Sequence, residues 1–304
     1  MTSRTGKTYD SLLRDAARRL EDGGIETAML DARRLLGHAS NSDLAALICQ
    51  SRDLPCQQTV ERFETFLSAR LSGKPVHRIL EKREFFGRTF KVLDDVLEPR
   101  PETELLVERI LEDWKDRLGI GKIDSVWLQF AEIGIGSGVI AITLLAELAG
   151  SRCIATDVSA KAIAASRINA QLHGVDGRLS LQRAEYLDGV TSGLDFIVSN
   201  PTYIKSKDIL GLAREVRAYD PLVGLDGGAS GLEIYAGILA RGLDHLKPDG
   251  RLYLETGHGQ HFEIIEMAVK NGWQLVSSHL DLCGLERILV FERTSLENVA
   301  KITC

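Results

Sequence analysis

The stretch that decides the fold is Phe130-Ala131-Glu132-Ile133-Gly134-Ile135-Gly136-Ser137-Gly138. It follows a short apolar strand pattern at residues 125–130 and opens a helical pattern at residues 139–148. Glycines let the backbone turn sharply and let a ligand lie against bare main chain. A strand, a glycine loop and a helix in this order predict the first turn of an open α/β sheet, at the edge where such sheets bind ligands.

Strand and helix patterns alternate from this stretch towards the end of the chain. Such alternation implies a parallel sheet covered by helices on both faces, with right-handed crossovers. The predicted strands cover residues 125–130, 153–156, 179–182, 196–199, 252–255, 274–278 and 287–291, and the predicted helices cover residues 139–148, 160–172, 232–246 and 262–270.

The first 75 residues carry helical patterns without candidate chemistry. Leu12, Ala16 and Leu20 recur at helical spacing until Gly23 ends the pattern, and Pro55 opens another helix. We expect a small helical bundle here. Because helical appendages commonly hold partners, we expect this domain to recognise the substrate.

A different pattern connects the bundle to the α/β region. From residue 76 the apolar period becomes two, and Gly87-Arg88, between the patterns at 84–86 and 89–92, predicts the tight turn of a β-hairpin. Pro99-Arg100-Pro101 ends it, and residues 102–117 then predict a helix with acidic residues in its first turn. The expected domains are therefore a helical domain at 1–75, a hairpin linker at 76–100 and an α/β domain at 101–304.

Composition excludes several classes of protein. The net charge of −6 argues against a protein that coats nucleic acid. No apolar run approaches the roughly 20 residues that span a bilayer, and the first ten residues lack the apolar core of a secretory signal. The five cysteines are scattered without a C-x-x-C pair, so we expect no disulfide framework, no metal site and a cytoplasmic location.

The glycine loop and the next strand predict a cofactor site. The spacing is G-x-G-x-G, whereas a dinucleotide pattern needs glycine at position 139, where Val139 stands. Asp157 ends the next strand pattern, where a carboxylate can accept both hydroxyls of a ribose; the alternative is a helix cap. The candidate cofactor-binding residues are Gly134, Ile135, Gly136, Ser137, Gly138 and Asp157.

Glu185 and Tyr186 follow the third predicted strand. Methyltransferases usually bind adenine at this place, where an acidic group accepts the exocyclic amine and an aromatic ring covers the base. We therefore add both residues to the candidate cofactor site. The alternative interpretation is a polar loop residue followed by a half-buried tyrosine of the core.

The sharpest motif is Asn200-Pro201-Thr202-Tyr203, directly after the apolar strand pattern at 196–199. Pro201 fixes one φ and lacks an N–H, so nearby carbonyls can point outward. Asn200 supplies an amide oxygen and Tyr203 a flat ring, and together they can hold a planar NH2 group. We predict that these four residues are catalytic and that Asn200 also borders the cofactor. A β-turn with a buried tyrosine is the alternative.

These motifs resemble those of the HemK-type protein-(glutamine-N5) methyltransferases, which act on the Gly-Gly-Gln loop of peptide chain release factors. The resemblance extends from about residue 75 to residue 291. It includes further runs, namely Arg83-Glu84-Phe85-Phe86-Gly87, Leu97-Glu98-Pro99-Arg100-Pro101-Glu102-Thr103-Glu104, Tyr219-Asp220-Pro221-Leu222, Leu225-Asp226-Gly227-Gly228, Glu255-x-Gly257-x-x-Gln260 and Asp281-x-x-Gly284-x-Glu286-Arg287.

The resemblance implies a Rossmann-like class I methyltransferase fold of seven strands, the last ones partly antiparallel, with an N-terminal helical bundle and a connecting hairpin. It also implies S-adenosylmethionine as cofactor, held by the glycine loop, Asp157 and Tyr186, and a release factor whose glutamine is held by residues 200–203. The family usually has proline where this chain has Thr202, which removes rigidity and adds a hydroxyl.

Three other functions remain open from the residues alone. An adenine-N6 methyltransferase of DNA or RNA uses a similar loop, but it needs a basic groove and base flipping, and the acidic charge disfavours it. A nucleotide-dependent oxidoreductase would use the same kind of sheet, and the spacing at Val139 disfavours it. A non-catalytic adaptor would not need the intact glycines and Asp157. We therefore expect a protein substrate, no membrane contact and no sequence-specific nucleic-acid binding.

Overall fold

The computed structural model describes residues 6–119 and 127–294. Its contacts divide the chain into two compact units. One comprises Met1–Lys82 with Arg214–Tyr219, and the other comprises Arg83–Ala213 with Asp220–Cys304. The three-domain division expected from the sequence stays a prediction.

The first unit contains a helical bundle. Its core consists of fully buried aliphatic and aromatic side chains, including Leu20, Leu35, Phe63 and Leu67. Helix caps fix where the helices begin: the side chain of Thr8, for example, accepts a hydrogen bond from the N–H of Ser11. The helices are α1 (Tyr9–Asp22), α2 (Ala28–Ser40), α3 (Leu44–Cys49), α4 (Gln57–Leu71) and α5 (Val76–Leu80).

The extended structure expected from residue 76 is wrong for its first residues, because Val76–Leu80 form α5. The N–H groups of Arg78 and Ile79 donate to the carbonyl of Pro75 at 3.1 and 3.0 Å. Pro75 has φ −60° and precedes the helix. A period of two over so few residues cannot fix a strand against these local hydrogen bonds.

The predicted hairpin is confirmed in the strands β1 (Lys82–Phe85) and β2 (Arg88–Lys91). Its turn lies one residue earlier than predicted, at Phe86 and Gly87, which have φ of 51° and 69°. Positive φ at both central residues is the geometry of a type I′ hairpin turn. The hairpin buries Phe85 and Phe90 in the core of the second unit.

The second unit is built on a seven-stranded sheet of order β5-β4-β3-β6-β7-β9-β8. Its first five strands pair in parallel, and β9 is antiparallel to both β7 and β8. The remaining α-helices and strands of the described residues are α6 (Thr103–Leu118), β3 (Gln129–Ile133), α7 (Val139–Glu147), β4 (Arg152–Asp157), α8 (Ala160–Leu172), β5 (Leu179–Arg183), β6 (Leu194–Ser199), α9 (Arg214–Tyr219), α10 (Glu233–His245), β7 (Leu246–Glu255), α11 (His261–Lys270), β8 (Trp273–Leu280) and β9 (Glu286–Arg293).

Helices cover both faces of this sheet. Phe130 and Phe196 belong to the core that includes residues of α6 and α7, and their rings stack with centroids 4.6 Å apart. Ala131 and Ile197 belong to the core that includes residues of α10 and α11. Successive strand residues alternate between the faces, so strands buried on both sides are apolar throughout. The predicted Rossmann-like methyltransferase fold is confirmed.

The first strand of the sheet lies later than expected. We predicted it at residues 125–130, of which 125 and 126 lie outside the described residues, and β3 continues to Ile133. Ala131, Glu132 and Ile133 pair with β4 on one side and β6 on the other. Hydrogen bonding on both edges extends the strand through a charged residue that we had placed beyond its end.

Within the described part of the chain no helix combines the length and apolar character needed to cross a bilayer. Cys49, Cys56, Cys153 and Cys283 are free thiols. Among residues 6–119 and 127–294 there is no cluster of three or more side chains suited to hold a metal ion. The cytoplasmic location stays a prediction.

Candidate active site

The register of the sheet brings three predicted site segments to one edge. Ile133 at the end of β3 pairs with Thr156 in β4 and with Ser199 in β6. The glycine loop, Asp157 and Asn200 therefore leave neighbouring strands at the same level. Ser199 strengthens this junction, since its hydroxyl donates to the carbonyl of Ile133 at 2.7 Å.

The glycine loop presents bare backbone to open space. Gly134, Gly136 and Gly138 have φ of 74°, 54° and 86°, a region that other residues rarely adopt. A Cβ added at Gly134 or Gly136 would meet nothing within 4 Å, whereas one at Gly138 would lie 2.7 Å from Cδ1 of Ile142. The first two glycines thus leave open space against the backbone for a ligand. The third leaves room for the side chain of Ile142.

Side chains of α8 hold the loop in this shape. The hydroxyl of Ser166 donates to the carbonyl of Gly136 at 2.8 Å, and Nδ2 of Asn169 donates to the carbonyl of Ser137 at 2.9 Å. The N–H of Ile135 donates to the carbonyl of Thr156 at 3.0 Å. Because its carbonyls are engaged from below, the loop is preorganised.

Asp157 lies directly beside the loop. Its Oδ2 accepts a hydrogen bond from the N–H of Gly136 at 3.0 Å, and its Oδ1 accepts one from the N–H of Ser159 at 2.8 Å. Burial raises the pKa of Asp157, and these two donors oppose that shift. Each carboxylate oxygen can accept a further bond. The side chain that caps α8 is that of Ser159, and the ribose role of Asp157 stays a prediction.

Glu132 is a site residue that our sequence analysis did not identify. Its side chain is buried, and Oε2 accepts a hydrogen bond from the N–H of Ala141 at 2.8 Å. Burial raises the pKa of this carboxyl well above its usual range. Glu132 thus secures the first turn of α7 beneath the loop. A charged residue inside an apolar strand pattern was the available indication.

Glu185 and Tyr186 lie in the loop that follows β5. Glu185 is exposed, and Tyr186 is half-buried with φ 47°. The ring of Tyr186 packs against Gly237 of α10, with the guanidinium of Arg241 4.5 Å from its centroid. This placement fits the alternative of a half-buried core tyrosine, and the adenine role of both residues stays a prediction.

The Asn-Pro-Thr-Tyr loop is held from three directions. Nδ2 of Asn200 donates to Oγ1 of Thr103 at 3.0 Å. The hydroxyl of Thr202 donates to the carbonyl of Asp226 at 2.9 Å. The carbonyl of Tyr203 accepts a hydrogen bond from Nε2 of Gln260 at 3.1 Å. Residues 200–203 are thereby fixed at the sheet edge, beside the glycine loop.

The segment at 225–228 packs closely against this loop. The N–H of Gly227 donates to the carbonyl of Ile204 at 2.8 Å, and a Cβ at Gly227 would lie only 2.8 Å from the carbonyl oxygen of Thr202. Only glycine permits this approach. The hydroxyl that Thr202 brings in place of proline therefore has a defined partner on the neighbouring segment.

Glu255 is a buried carboxyl group at the end of β7, and it too was absent from our predicted site. Burial raises its pKa to about 7, against the opposing effect of hydrogen bonds with Thr103 and Asn200. Its Oε2 is buried and has no hydrogen-bond partner among the described residues. Buried unpaired polar atoms are uncommon and require an explanation.

A cavity of about 490 Å³ opens beside Tyr203. Burial raises the pKa of the Tyr203 hydroxyl, so the ring stays neutral. The cavity offers room for a chain segment next to the Asn-Pro-Thr-Tyr loop. Its lining includes Lys205, Gly257, His258, Gln260 and Glu263.

Two family models match the chain. Residues 11–80 match the PrmC N-terminal domain. Residues 116–215 match the methyltransferase small domain, which includes the glycine loop, Asp157 and Asn200. The two matches fall on the helical bundle and on the sheet.

Curated relatives match most of the chain. A release factor glutamine methyltransferase of Bradyrhizobium diazoefficiens is 39% identical over 84% of this chain and 84% of its own length. One of Cereibacter sphaeroides is 39% identical over 91% of this chain and 95% of its own length. A bifunctional methyltransferase of Rickettsia conorii is 32% identical over 94% of this chain and 58% of its own length.

One solved structure supports the fold alone. The catalytic domain of hMettl16, solved with the MAT2A 3′UTR hairpin 6, superposes with a TM-score of 0.53 at 17% identity. The match covers 76% of this chain and 83% of that one. The sheet and its helices therefore share the fold of that catalytic domain.

Proposed function

This chain belongs to the family of release factor glutamine methyltransferases, and we propose that it methylates the side-chain amide nitrogen of a glutamine in the Gly-Gly-Gln loop of a peptide chain release factor. S-adenosylmethionine is the proposed methyl donor. The observation that carries the proposal is the pairing of β3 with β6, which sets the glycine loop and the Asn-Pro-Thr-Tyr loop side by side.

The glycine loop and Asp157 fit the proposed cofactor. The open backbone at Gly134 and Gly136 can lie against it, and the free lone pairs of Asp157 can accept two ribose hydroxyls. The bound cofactor supplies a sulfonium methyl group, which is already activated for transfer. The protein has mainly to align the acceptor nitrogen with that group.

Asn200 and the backbone after it provide this alignment. A glutamine amide nitrogen is a poor nucleophile, because its lone pair is delocalised into the carbonyl. In our proposal Oδ1 of Asn200 accepts one of its N–H bonds, and a carbonyl of the Pro201–Thr202 segment accepts the other. The ring of Tyr203 stacks on the amide plane. These contacts aim the nitrogen and raise its electron density.

The function is tested by transfer of a labelled methyl group to a purified release factor. We expect label in the factor and none in a version whose motif is Gly-Gly-Glu. Duplex DNA and structured RNA serve as further acceptors. Label in the Gly-Gly-Glu version, or in adenine alone, contradicts the proposal.

Replacing Asp157 by alanine is expected to weaken cofactor binding by about 1–3 kcal/mol, the scale of hydrogen bonds to a charged group. The loss has two sources, the ribose contacts and the restraint on the N–H of Gly136. Isothermal calorimetry measures it, with exposed Asp176 replaced by alanine as control. Unchanged affinity in a folded Asp157 variant removes this residue from the site.

We propose that the helical domain at residues 1–75 recognises the protein substrate. Leu44 and Ile48 lie four residues apart on α3 with 56% and 66% of their surface exposed, and so share one face. Ile48→Asp is expected to raise KM for an intact release factor at least about threefold. A change of this size corresponds to the loss of a small part of the binding energy of an interface. KM for a short Gly-Gly-Gln peptide should not change.

The control for this variant is Ile168→Asp, which places the same charge on exposed apolar surface of α8. We expect the Ile168 variant to behave as the unaltered protein with both substrates. An Ile48 variant with unchanged KM for the intact factor contradicts recognition by this face of the bundle.

A further inference from the structure

The side-chain amide of Asn200 has a donor end and an acceptor end, and only one orientation suits the proposed reaction. The substrate NH2 group carries donors, so it needs Oδ1 of Asn200 and is repelled by Nδ2. In the structure Nδ2 points to Oγ1 of Thr103 at 3.0 Å. The acceptor end is therefore turned away from Thr103.

Thr103 is well placed to enforce this orientation. It is the first residue of α6, its side chain is buried, and its N–H donates to the carbonyl of Arg100 at 3.2 Å. The Thr103 hydroxyl also lowers the pKa of the Glu255 carboxyl group, so the two groups lie close together. A threonine hydroxyl that donates to a carboxylate keeps its lone pairs for the amide of Asn200.

Glu255 reaches the same amide from β7. It is only 2% exposed, and the nearby side chain of Asn200 opposes the pKa increase that burial causes. A carboxylate accepts hydrogen bonds but donates none. It therefore attracts Nδ2 of Asn200 and repels Oδ1. Thr103 and Glu255 act on the amide in the same sense, although they belong to different elements.

We propose that Thr103 and Glu255 are positioning residues that orient the amide of Asn200, so that its oxygen faces the substrate nitrogen. This inference rests on the proposed glutamine methylation. Neither residue needs to touch the substrate. Their effect is to remove the flipped amide, in which Oδ1 would face the carboxylate and Nδ2 would face the donors of the substrate.

The charge of Glu255 makes the orientation sensitive to pH. Other groups that act on this carboxyl are Arg287 of β9, Glu102 before α6 and Tyr203. From α10, the hydroxyl of Tyr235 donates to the backbone carbonyl of Glu255 at 3.0 Å. Since burial raises the pKa of Glu255 to about 7, the carboxylate forms as pH increases through neutrality. We expect turnover to rise over the same range.

The decisive variants are Thr103→Val, which removes the hydroxyl at nearly constant shape, and Thr103→Ser, which restores it. Thr103→Val is expected to lower kcat about tenfold, because the Asn200 amide then aligns the substrate nitrogen less well. This loss is smaller than the roughly hundredfold cost of a full 1 Å displacement. KM for a Gly-Gly-Gln peptide and the Kd of the cofactor should change less than about twofold, because in this proposal Thr103 contacts neither the peptide nor the cofactor. Thr103→Ser should recover most of the loss.

Thr143→Val is the matched control. Thr143 is a buried threonine of α7 whose hydroxyl has no hydrogen-bond partner among the described residues. Its replacement tests the general effect of a buried threonine-to-valine change in this unit, and we expect normal kcat. Equal kcat in the Thr103→Val and Thr143→Val variants overturns the proposal.

Glu255→Gln removes the negative charge of the side chain and keeps its shape. We expect its kcat to be lower than that of the unaltered protein above neutral pH and to lose the rise near pH 7. A rise that persists in this variant overturns the role of Glu255. If Asn200→Ala abolishes turnover while both positioning variants are normal, this inference fails and the proposed function stands. If the unaltered protein leaves the release factor unlabelled, the proposed function fails and this inference with it.

Discussion

Alanine at position 200 is expected to lower turnover at least about a hundredfold, because misplacing a reacting atom by about 1 Å costs on that order. The variant loses the oxygen that accepts one N–H of the substrate glutamine and leaves Thr103 without its donor. Cofactor affinity should change much less, because the glycine loop and Asp157 are held by separate hydrogen bonds. Single-turnover methyl transfer and calorimetry measure the two effects.

Asn271→Ala is a control for this experiment. Asn271 follows α11, and its amide donates to the carbonyl of Met267 at 2.9 Å. That replacement removes an asparagine amide without touching the sheet edge, so turnover should stay normal. Near-normal turnover in the Asn200 variant contradicts the amide clamp and favours another acceptor.

Most of the sheet could be predicted from the sequence, because each strand buried on both faces is an apolar run bounded by turns. The pattern at 196–199, for example, became the central strand β6, whose residues are all buried. Errors arose where packing outweighed the local pattern. Glu132 interrupts an apolar run, yet pairing on both edges keeps it within β3.

Residues of the candidate site could be proposed from the sequence where chain order places them together, and were missed where they depend on distant contacts. The glycine loop and Asn200 follow strands and Asp157 ends one, so the topology alone places them together. Thr103 meets Asn200 across 97 residues, and no local pattern records that contact. The same holds for Glu255. It belongs to the run Glu255-x-Gly257-x-x-Gln260, but nothing in that run indicates that it lies near Asn200.

Thr202 illustrates how a departure from a family pattern acquires meaning only in three dimensions. From the sequence it implied lost rigidity and an added hydroxyl. The structure gives that hydroxyl the carbonyl of Asp226 as acceptor, at 2.9 Å. A hydrogen bond across 24 residues thus restrains the loop where the family usually relies on proline.

The first unit contains an ion network that the sequence patterns did not indicate. Arg70 of α4 donates to Asp31 of α2 at 2.7 Å and to Glu215 of α9 at 2.6 Å. The side chains of Arg70 and Asp31 are only 7% and 6% exposed, whereas that of Glu215 is 41% exposed. Asp31 therefore depends on Arg70 for compensation, while water can solvate Glu215.

Arg70→Leu is expected to destabilise the first unit by about 3–5 kcal/mol, because it leaves the carboxylate of Asp31 buried and uncompensated. Arg19→Leu removes the partner of Glu64 from a pair that is 34% and 41% exposed, and exposed pairs contribute only about 0–1 kcal/mol. Hydrogen exchange of amides in α2 and α4 during urea unfolding measures both changes in the full chain.

The double replacement Arg70→Leu with Asp31→Leu distinguishes a buried charge from lost packing. Burying an unpaired carboxylate is the costly step, so removing both charges should recover most of the stability lost in the single variant. Equal loss in the single and double variants would assign the effect to packing of the Arg70 side chain instead. If Arg70→Leu is no less stable than Arg19→Leu, Asp31 has another partner or is solvated. The network then does not help to hold α2, α4 and α9 together.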